Sequence, residues 1–237
     1  MEGYSSAGTH PAKLSWLRAV RPVFPIALGY IPVGFAYGVL SQKTGLSAAN
    51  TLLMSVIVYA GSSQLIAVGL LGAGAPALSV VLTTFVVNLR HLLMSAAVSP
   101  HLKSWKRREL LAFAFHLTDE TFAVHISNFA VGSPSKAAVF LINIIAQTSW
   151  VLGTWLGVVG GGLVTDVERF ALDYALLTMF IALLVLQIKD YLQVVVAILT
   201  GLLSVGLLML GMEQWHVIGA TLLGATAGVV IEKWIKK

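Results

Sequence analysis

Polar and ionisable residues lie near the middle of two long apolar segments in the first half of the chain. One segment contains Asn88 and Arg90, and the next contains His116, Asp119 and Glu120. A charged side chain at the centre of a bilayer costs ~2.5–3.5 kcal/mol on insertion scales, so it is usually paired and faces a protein interior or a watery cavity. These five residues therefore indicate a candidate transport site.

A third polar group lies at the centre of another apolar segment. It consists of Gly61, Ser62, Ser63 and Gln64. Small and amide residues at a segment midpoint favour a short unwound region, where freed backbone amides and carbonyls bind a polar ligand, as in the discontinuous helices of transporters. The alternative is close helix packing in which Gln64 hydrogen-bonds to a neighbouring helix.

The composition places these groups in a membrane protein. Of the 237 residues, 57% are hydrophobic and only 11% are charged, whereas soluble domains carry about 25% charged residues. A membrane-spanning helix needs about 20 apolar residues. We therefore predict an all-α, polytopic helical membrane protein with seven or eight apolar segments, some of the first three broken or re-entrant. The segments are residues 22–41, 49–71, 76–99, 110–129, 137–163, 170–186, 192–210 and 217–231.

A single transmembrane domain, residues 22–232, is predicted between two tails. Residues 1–21 are predicted to lie at the membrane surface, and residues 233–237 form a basic tail. Basic residues in both tails indicate the cytoplasmic side, so we predict a multi-pass protein of the cytoplasmic membrane with its N-terminus inside. The basic connector, residues 100–109, also has cytoplasmic character, although three full crossings would place it outside. Either one of the first three segments is re-entrant, or this loop breaks the positive-inside rule.

Glycine patterns in two segments are typical of close helix packing. The first segment contains Gly34 and Gly38 together with several prolines. It is either a kinked helix packed through these glycines or a broken helix that lines a cavity. The fifth segment has glycine at every fourth residue, at Gly153, Gly157 and Gly161. This stripe is predicted to pack against a helix of this chain or of another chain.

Catalytic and cofactor motifs are absent from the sequence. There is no His-Glu-x-x-His, no Gly-x-Ser-x-Gly and no phosphate-binding glycine loop, there is no cysteine, and the six histidines lack metal-ligand spacing. We therefore expect no enzyme, no cofactor and no metal site. The net charge of +5 comes from basic residues at segment ends, which the membrane surface explains, so no nucleic-acid partner is expected.

Four sequence features, in this order, resemble those of the AzlC family, the large subunit of branched-chain amino-acid exporters. They are the Pro/Gly-rich first segment (Pro32, Gly34, Gly38), residues 60–64 (Ala-Gly-Ser-Ser-Gln), residues 87–91 (Val-Asn-Leu-Arg-His) and residues 117–120 (Leu-Thr-Asp-Glu). The resemblance covers about residues 20–235. It implies export of leucine, isoleucine and valine, with methionine as a further candidate, across the cytoplasmic membrane. It also implies a small second membrane subunit like AzlD.

The carboxylate of such an amino acid needs hydrogen-bond donors. By hypothesis, backbone amides around Gly61, Ser62 and Ser63 hold it at the N-terminus of a half-helix, where the helix dipole favours an anion. Arg90 adds a charge-assisted hydrogen bond. The amide side chains of the two remaining polar residues, Gln64 and Asn88, complete the polar shell.

The ammonium group needs acceptors, and transport needs a source of energy. Because the sequence has no nucleotide-binding motif, an ion gradient or the solute's own gradient must drive transport. Asp119 or Glu120 is predicted to receive the ammonium or to carry a coupling proton, and His116 is assigned to the same group because it shares a helix face with Glu120.

Several alternatives remain open at the level of sequence. Arg90 could pair with Asp119 or Glu120 only to hold two helices together. The chain could be an assembly subunit that does not transport, with the glycine stripe as its main feature, or a permease for another small zwitterion. It could also form a homo-oligomer.

Overall fold

The computed structural model of the chain describes residues 16–163, 190–212 and 216–235, with isolated residues between 174 and 188. Its regular structure is entirely helical within these residues, as predicted. In chain order the helices are α1 (Trp16–Val20), α2 (Val23–Lys43), α3 (Ala48–Leu53), α4 (Gly61–Gly72), α5 (Ala77–Val98), α6 (Arg107–Phe115), α7 (Asp119–Val131), α8 (Lys136–Gly160), α9 (Tyr191–Met209) and α10 (His216–Ile235).

Four helical stretches in the described residues are long and apolar enough to cross a membrane. They are Leu17–Lys43, Ala77–Leu102, Lys136–Gly160 and Tyr191–Met209. The number of segments predicted from sequence, seven or eight, is not confirmed, because the second and fourth predicted segments are each divided into shorter helices. The predicted sixth segment, residues 170–186, lies largely outside the described residues.

The chain divides into two compact units between residues 179 and 180. The second unit contains α9 and α10, which pack on each other. A Cβ atom on Gly228 of α10 would lie 3.3 Å from the Val196 side chain of α9, so the glycine allows the two helices to approach closely. The candidate site lies entirely in the first unit.

The core of the first unit is the crossing of α2 and α8. Gly34 and Gly38 of α2 face Gly153 and Gly157 of α8: a Cβ on Gly34 would lie 3.3 Å from the Cα of Gly153, and a Cβ on Gly157 would lie 3.0 Å from the Cα of Gly38. The two main chains are therefore in direct contact, as small residues permit. The two glycine patterns in the sequence are partners within one chain. Helix α2 continues through Pro32, so the first segment is not a broken helix.

The predicted N-terminal tail, residues 1–21, overlaps the apolar helical stretch Leu17–Lys43. The stretch begins at Leu17, five residues before the predicted boundary at residue 22. Ala19 is fully buried, and its carbonyl accepts a hydrogen bond from Asn128 Nδ2 of α7 at 3.0 Å. Residues 1–15 of the predicted tail lie outside the described residues.

The second predicted segment is interrupted at its midpoint, where an unwound region is predicted. After α3 the chain makes a π-helical turn, Met54–Val58, and α4 begins at Gly61. Between them Tyr59 has a φ of 45° in the left-handed region, which is unfavourable for a bulky side chain and is often found at functional sites. Gln147 Nε2 of α8 donates to the carbonyl of Val56 at 3.1 Å. A neighbouring helix thereby satisfies a carbonyl at the interruption, as an apolar environment requires.

The fourth predicted segment, predicted as one continuous span, is also divided. Thr118 caps α7: its Oγ1 accepts from the amide of Thr121 at 3.3 Å, and Thr121 Oγ1 accepts from the amide of Thr118 at 2.8 Å. Residues 116–118, here called the α6–α7 joint, separate α6 from α7. Asp119 and Glu120 therefore lie in the first turn of a helix, where the helix dipole favours negative charge.

Glu109 links the beginning of α6 to the beginning of α8. Its Oε2 accepts from Lys136 Nζ at 2.6 Å and from the Lys106 amide at 2.7 Å. The Lys136 ammonium and then the Lys106 amide hold the pKa of the Glu109 carboxyl below its ordinary value. A depressed pKa in the folded state contributes stability above the unfolded pKa, and this contribution is lost as the pH falls through the folded pKa.

We expect Glu109→Gln to lower the Tm slightly at neutral pH and not at acid pH. The effect is small because the pair is solvent-exposed. Thermal unfolding of both proteins in detergent from pH 7 to about pH 3 measures it: the two curves of Tm against pH converge at the acid end. A Tm difference that stays constant across this range would contradict the assignment to the ionised carboxylate.

Candidate functional site

A cavity lies in the first unit where the N-terminal ends of α4 and α7 meet α2, α5 and α8. Its lining comes from five places: residues 59–62 at the start of α4, Tyr30 of α2, Arg90 and His91 of α5, residues 118–120 at the start of α7, and Trp150 of α8. The interior measures about 20 Å³, which is room for about one water molecule. The cavity is therefore closed to anything as large as an amino acid in this conformation.

Arg90 connects three helices at the cavity. Its Nη1 lies 2.7 Å from Asp119 Oδ2 of α7, and its Nη2 donates to Ser62 Oγ of α4. The two charged side chains are 25% and 16% exposed, so the ion pair is largely shielded from solvent and is stronger than a surface pair. Of the two carboxylates that sequence offered as partners for Arg90, the structure pairs it with Asp119.

Glu120 has a different set of partners. Its Oε2 accepts a hydrogen bond from the Tyr30 hydroxyl at 2.6 Å. The same hydroxyl lies 2.7 Å from Thr118 Oγ1. Tyr30 is buried, and its ring packs edge-on against Trp150 with centroids 5.6 Å apart. The α2–α8 crossing therefore positions the phenol that holds Glu120.

The N-terminus of α4 presents backbone donors next to Arg90. The first hydrogen bond at the start of this helix is from the Gln64 amide to the Ala60 carbonyl at 2.9 Å, so the amides of residues 61–63 precede the intrahelical ladder. A Cβ on Gly61 would lie 2.8 Å from Cη2 of Trp150. Glycine at this position therefore lets the Trp150 indole cover the helix terminus. The amides of residues 61–63, together with Arg90, form an environment suited to an anion.

Two of the predicted site residues lie just behind the cavity and bind each other. Ser63 Oγ donates to Asn88 Oδ1 at 2.6 Å, and the backbone carbonyl of Asn88 lies 3.1 Å from His91 Nδ1. The first of these contacts connects α4 to α5 two residues before Arg90, and the second lies within α5. Ser63 and Asn88 are therefore placed to orient the lining residues.

Gln64 binds a residue of α8 and does not line the cavity. It is fully buried; its Nε2 donates to Ser55 Oγ and its Oε1 accepts from Trp150 Nε1, both at 3.2 Å. Ser55 Oγ in turn lies 2.8 Å from Thr154 Oγ1. This network joins the interrupted helix to α8, which corresponds to the packing alternative considered for Gln64.

His116 does not line the cavity. It ends α6, and its Nδ1 lies 2.7 Å from the carbonyl of Ala112 in the preceding turn. The break between α6 and α7 removes the shared helix face on which His116 and Glu120 were grouped. The physical reason is that the i, i+4 relationship holds only within a continuous helix.

Sequence reasoning did not assign the aromatic and hydroxyl residues of the cavity, which are Tyr30, Tyr59, Thr118 and Trp150. A single tyrosine or tryptophan in an apolar helix looks the same whether it packs in a core or lines a cavity. The sequence around Thr118 does indicate the start of a helix, because threonine followed by two acidic residues is typical of a helix N-terminus. The apolar residues on both sides of it favoured one continuous segment instead.

The chemistry available at this cavity is recognition of charge. Arg90 and the α4 amides are donors, whereas Asp119 and Glu120 are acceptors a short distance away. Aromatic rings supply the apolar wall. No group of three or more residues suited to a metal ion occurs in the described part of the chain.

These features define a helical membrane protein with a closed polar cavity between interrupted helices. The profile of the family described as AzlC protein matches residues 25–164, the stretch that contains every residue of the cavity. The chain belongs to the AzlC family.

Full-length relatives agree with this assignment. The chain is 31% identical to an uncharacterized membrane protein of Archaeoglobus fulgidus over 89% of this chain and 91% of the relative. It is 29% identical to the inner membrane protein YgaZ of Escherichia coli (83% and 84%) and 28% identical to the branched-chain amino acid transport protein AzlC of Bacillus subtilis (76% and 72%). No solved structure matches the chain.

Proposed function

We propose that this protein is a secondary transporter that exports branched-chain amino acids across the cytoplasmic membrane, together with a small AzlD-like membrane subunit. The substrates are leucine, isoleucine and valine, with methionine as a further candidate. The observation that supports this proposal best is the grouping of Arg90, the free α4 amides and two carboxylates in one cavity between interrupted helices. The name of the Bacillus subtilis relative supports the substrate class.

The binding arrangement follows from the charges of a zwitterion. The substrate carboxylate binds Arg90 and the amides of residues 61–63, and the ammonium binds Asp119. Because Arg90 and Asp119 already pair in the closed cavity, substrate entry exchanges one ion pair for two, with no charge left unpaired. This exchange matters because an unpaired charge in such an environment costs several kcal/mol.

Efflux from cells tests the transport function. Cells that express the chain, with and without an AzlD-like subunit, are loaded with labelled leucine, valine or methionine, and release is compared with that of an empty-vector strain. We expect faster release of at least one of these amino acids. Release equal to the empty-vector strain in both settings, with the protein verified in the membrane, would contradict the assignment of substrate.

Asp119→Asn tests the site in the same assay. We expect a loss of efflux of about tenfold or more, because an ammonium–carboxylate interaction of ~1.4 kcal/mol or more is removed. Asp190→Asn is the matched control: it makes the same carboxyl-to-amide change at the N-cap of α9, where asparagine caps as well as aspartate. Equal efflux in the two variants would contradict the role of Asp119.

A further inference from the structure

The two neighbouring carboxylates of α7 differ in what compensates their charge. Asp119 pairs with Arg90 at 2.7 Å, and a guanidinium is always charged in proteins. Glu120 forms no ion pair with any described residue, and its Oε2 is held by the Tyr30 hydroxyl. Of the two, therefore, only Glu120 can gain a proton without breaking an ion pair.

The Tyr30 hydroxyl has two partners and one proton. It lies 2.6 Å from Glu120 Oε2 and 2.7 Å from Thr118 Oγ1. A hydroxyl donates one hydrogen bond and accepts others. A carboxylate can only accept, so an ionised Glu120 requires the Tyr30 proton. A protonated Glu120 can itself donate, and this frees the Tyr30 proton for Thr118.

The hydrogen bonds continue from Tyr30 into the backbone next to α7. Thr118 Oγ1 lies 3.2 Å from Thr121 Oγ1, and Thr121 Oγ1 donates to the carbonyl of His116 at 3.3 Å. This series of hydroxyls, here called the hydroxyl chain, consists of Tyr30, Thr118 and Thr121. It begins at Glu120 and ends at the α6–α7 joint.

We propose that Glu120 is the residue that takes up and releases the coupled proton, and that the hydroxyl chain transmits its protonation state to the α6–α7 joint. Asp119 keeps its ion pair with Arg90 or exchanges it for one with the substrate ammonium. Coupling of this proton to transport rests on the proposed transport function, whereas the response of the hydroxyl chain to Glu120 does not. Tyr30 is accordingly a positioning residue, because it acts through Glu120.

The protons balance along the hydroxyl chain. With Glu120 ionised, Tyr30 donates to Glu120, Thr118 donates to Tyr30 and Thr121 donates to Thr118. With one proton added to Glu120, Glu120 donates to the Tyr30 oxygen, Tyr30 donates to Thr118, Thr118 donates to Thr121, and Thr121 donates to the carbonyl of His116. Each hydroxyl keeps one proton, and only the direction of the hydrogen bonds reverses. Thr118 is the N-cap of α7, so the reversal acts where this helix begins.

Several other titratable or charged groups surround Glu120 at the cavity. The titratable or charged residues that face it are Tyr30 from α2, Tyr59 from the α3–α4 link, Arg90 and His91 from α5, and Asp119 from its own helix. The Arg90 charge is compensated by Asp119. At the cavity α8 contributes Trp150, which does not titrate. Tyr30 is the residue among them that hydrogen-bonds to the Glu120 side chain.

The test compares Tyr30→Phe with Tyr37→Phe. Tyr37 lies seven residues further along α2, and its ring stacks on the same Trp150 with centroids 6.1 Å apart. Its hydroxyl donates to the Thr51 carbonyl. Both variants lose one buried hydroxyl from the same helix, but only Tyr30 contacts a carboxylate. Unfolding temperatures of both variants close to that of the wild type verify that neither change disrupts the fold.

Infrared difference spectroscopy of the purified protein measures the protonation of Glu120 directly. The carboxylic-acid band that Glu120→Gln removes is assigned to Glu120. The intensity of this band is followed against pH in each protein, and the midpoint is the pH at which half of it is lost. We expect Tyr30→Phe to move this midpoint by about one to two pH units towards higher pH, because the ionised form loses a hydrogen-bond donor. Tyr37→Phe leaves it in place. An unchanged midpoint in Tyr30→Phe would overturn the proposal.

A measurement on the Tyr30 ring itself gives an independent result. In protein labelled with 3-fluorotyrosine, the ¹⁹F signal that is absent from Tyr30→Phe belongs to Tyr30. We expect this signal to shift with the Glu120 midpoint and to stay fixed in Glu120→Gln. A Tyr30 signal that does not respond to Glu120 would refute the hydroxyl chain.

Transport and proton sensing can fail separately in these experiments. If the midpoint responds to Tyr30 but none of the three amino acids is released from cells, the hydroxyl chain stands and the proposed export of these amino acids is wrong. If efflux occurs and its pH profile is the same in Tyr30→Phe and the wild type, transport stands and the coupling through Tyr30 is wrong. A pH profile shifted only in Tyr30→Phe supports both.

Discussion

Replacing Arg90 by glutamine is expected to abolish most transport and to destabilise the protein. The substitution leaves Asp119 without its cation in a largely shielded site and removes the hydrogen bond to Ser62. Removing one partner of a shielded charge pair costs ~2–5 kcal/mol. In the proposed binding arrangement Arg90 also binds the substrate carboxylate. Loss of this interaction is expected to reduce the free energy of binding by ~2.7 kcal/mol, which lowers substrate affinity about 100-fold. Efflux rates and the Tm in detergent measure the two effects.

The double variant Arg90→Gln, Asp119→Asn separates binding from architecture. A neutral amide pair can hydrogen-bond across α5 and α7 without an unpaired charge, so we expect the Tm to return towards the wild-type value. Efflux stays low, because neither charge remains for the zwitterion. If efflux recovers together with the Tm, the ion pair serves only to hold the helices, and the proposed binding role of Arg90 is wrong.

Replacing Gly157 by alanine is expected to separate α2 from α8. An added Cβ would meet the carbonyl oxygen of Phe35 and lie 3.0 Å from the Cα of Gly38. These are main-chain atoms, which cannot rotate away as a side chain can. Overpacking of this kind costs ~1–3 kcal/mol, and the loss of Tm is measured by thermal unfolding in detergent.

Transport is expected to fall in the same variant although Gly157 does not touch the cavity. Helix α2 carries Tyr30 and α8 carries Trp150, so a wider crossing moves two walls of the site apart. Gly29→Ala is the matched control on α2, because a Cβ at Gly29 meets nothing within 4 Å. A Gly157→Ala protein with wild-type Tm and efflux would show that the close crossing is not required.

The polar cavity shows how far a sequence can identify a site. Hydropathy is a local property, so the apolar segments and the charged residues inside them were visible without any structure. The break at residues 59–60 was also predictable, because small and amide residues at the midpoint of an apolar segment favour an unwound region. Among the residues predicted for the site, Gly61, Ser62, Arg90, Asp119 and Glu120 line one cavity.

The departures from prediction share one cause. Gln64, predicted for the ligand shell, binds Ser55 and Trp150 instead, and no local pattern specifies which of its neighbours a buried amide will face. His116 was separated from Glu120 by the break at the α6–α7 joint. Both predictions treated a residue's position within one helix as if it fixed its contacts with other helices.

The sequence by itself determined the class of protein, its family and the residue types available to a transport site, because composition, periodicity and short motifs are properties of the chain alone. The tertiary structure decided which helices are partners: Arg90 pairs with Asp119, Tyr30 holds Glu120, and the glycines of α2 meet those of α8. Pairing depends on which faces of distant segments meet. That choice is made by packing over the whole unit, because close backbone contact and complete pairing of buried polar groups must be satisfied together.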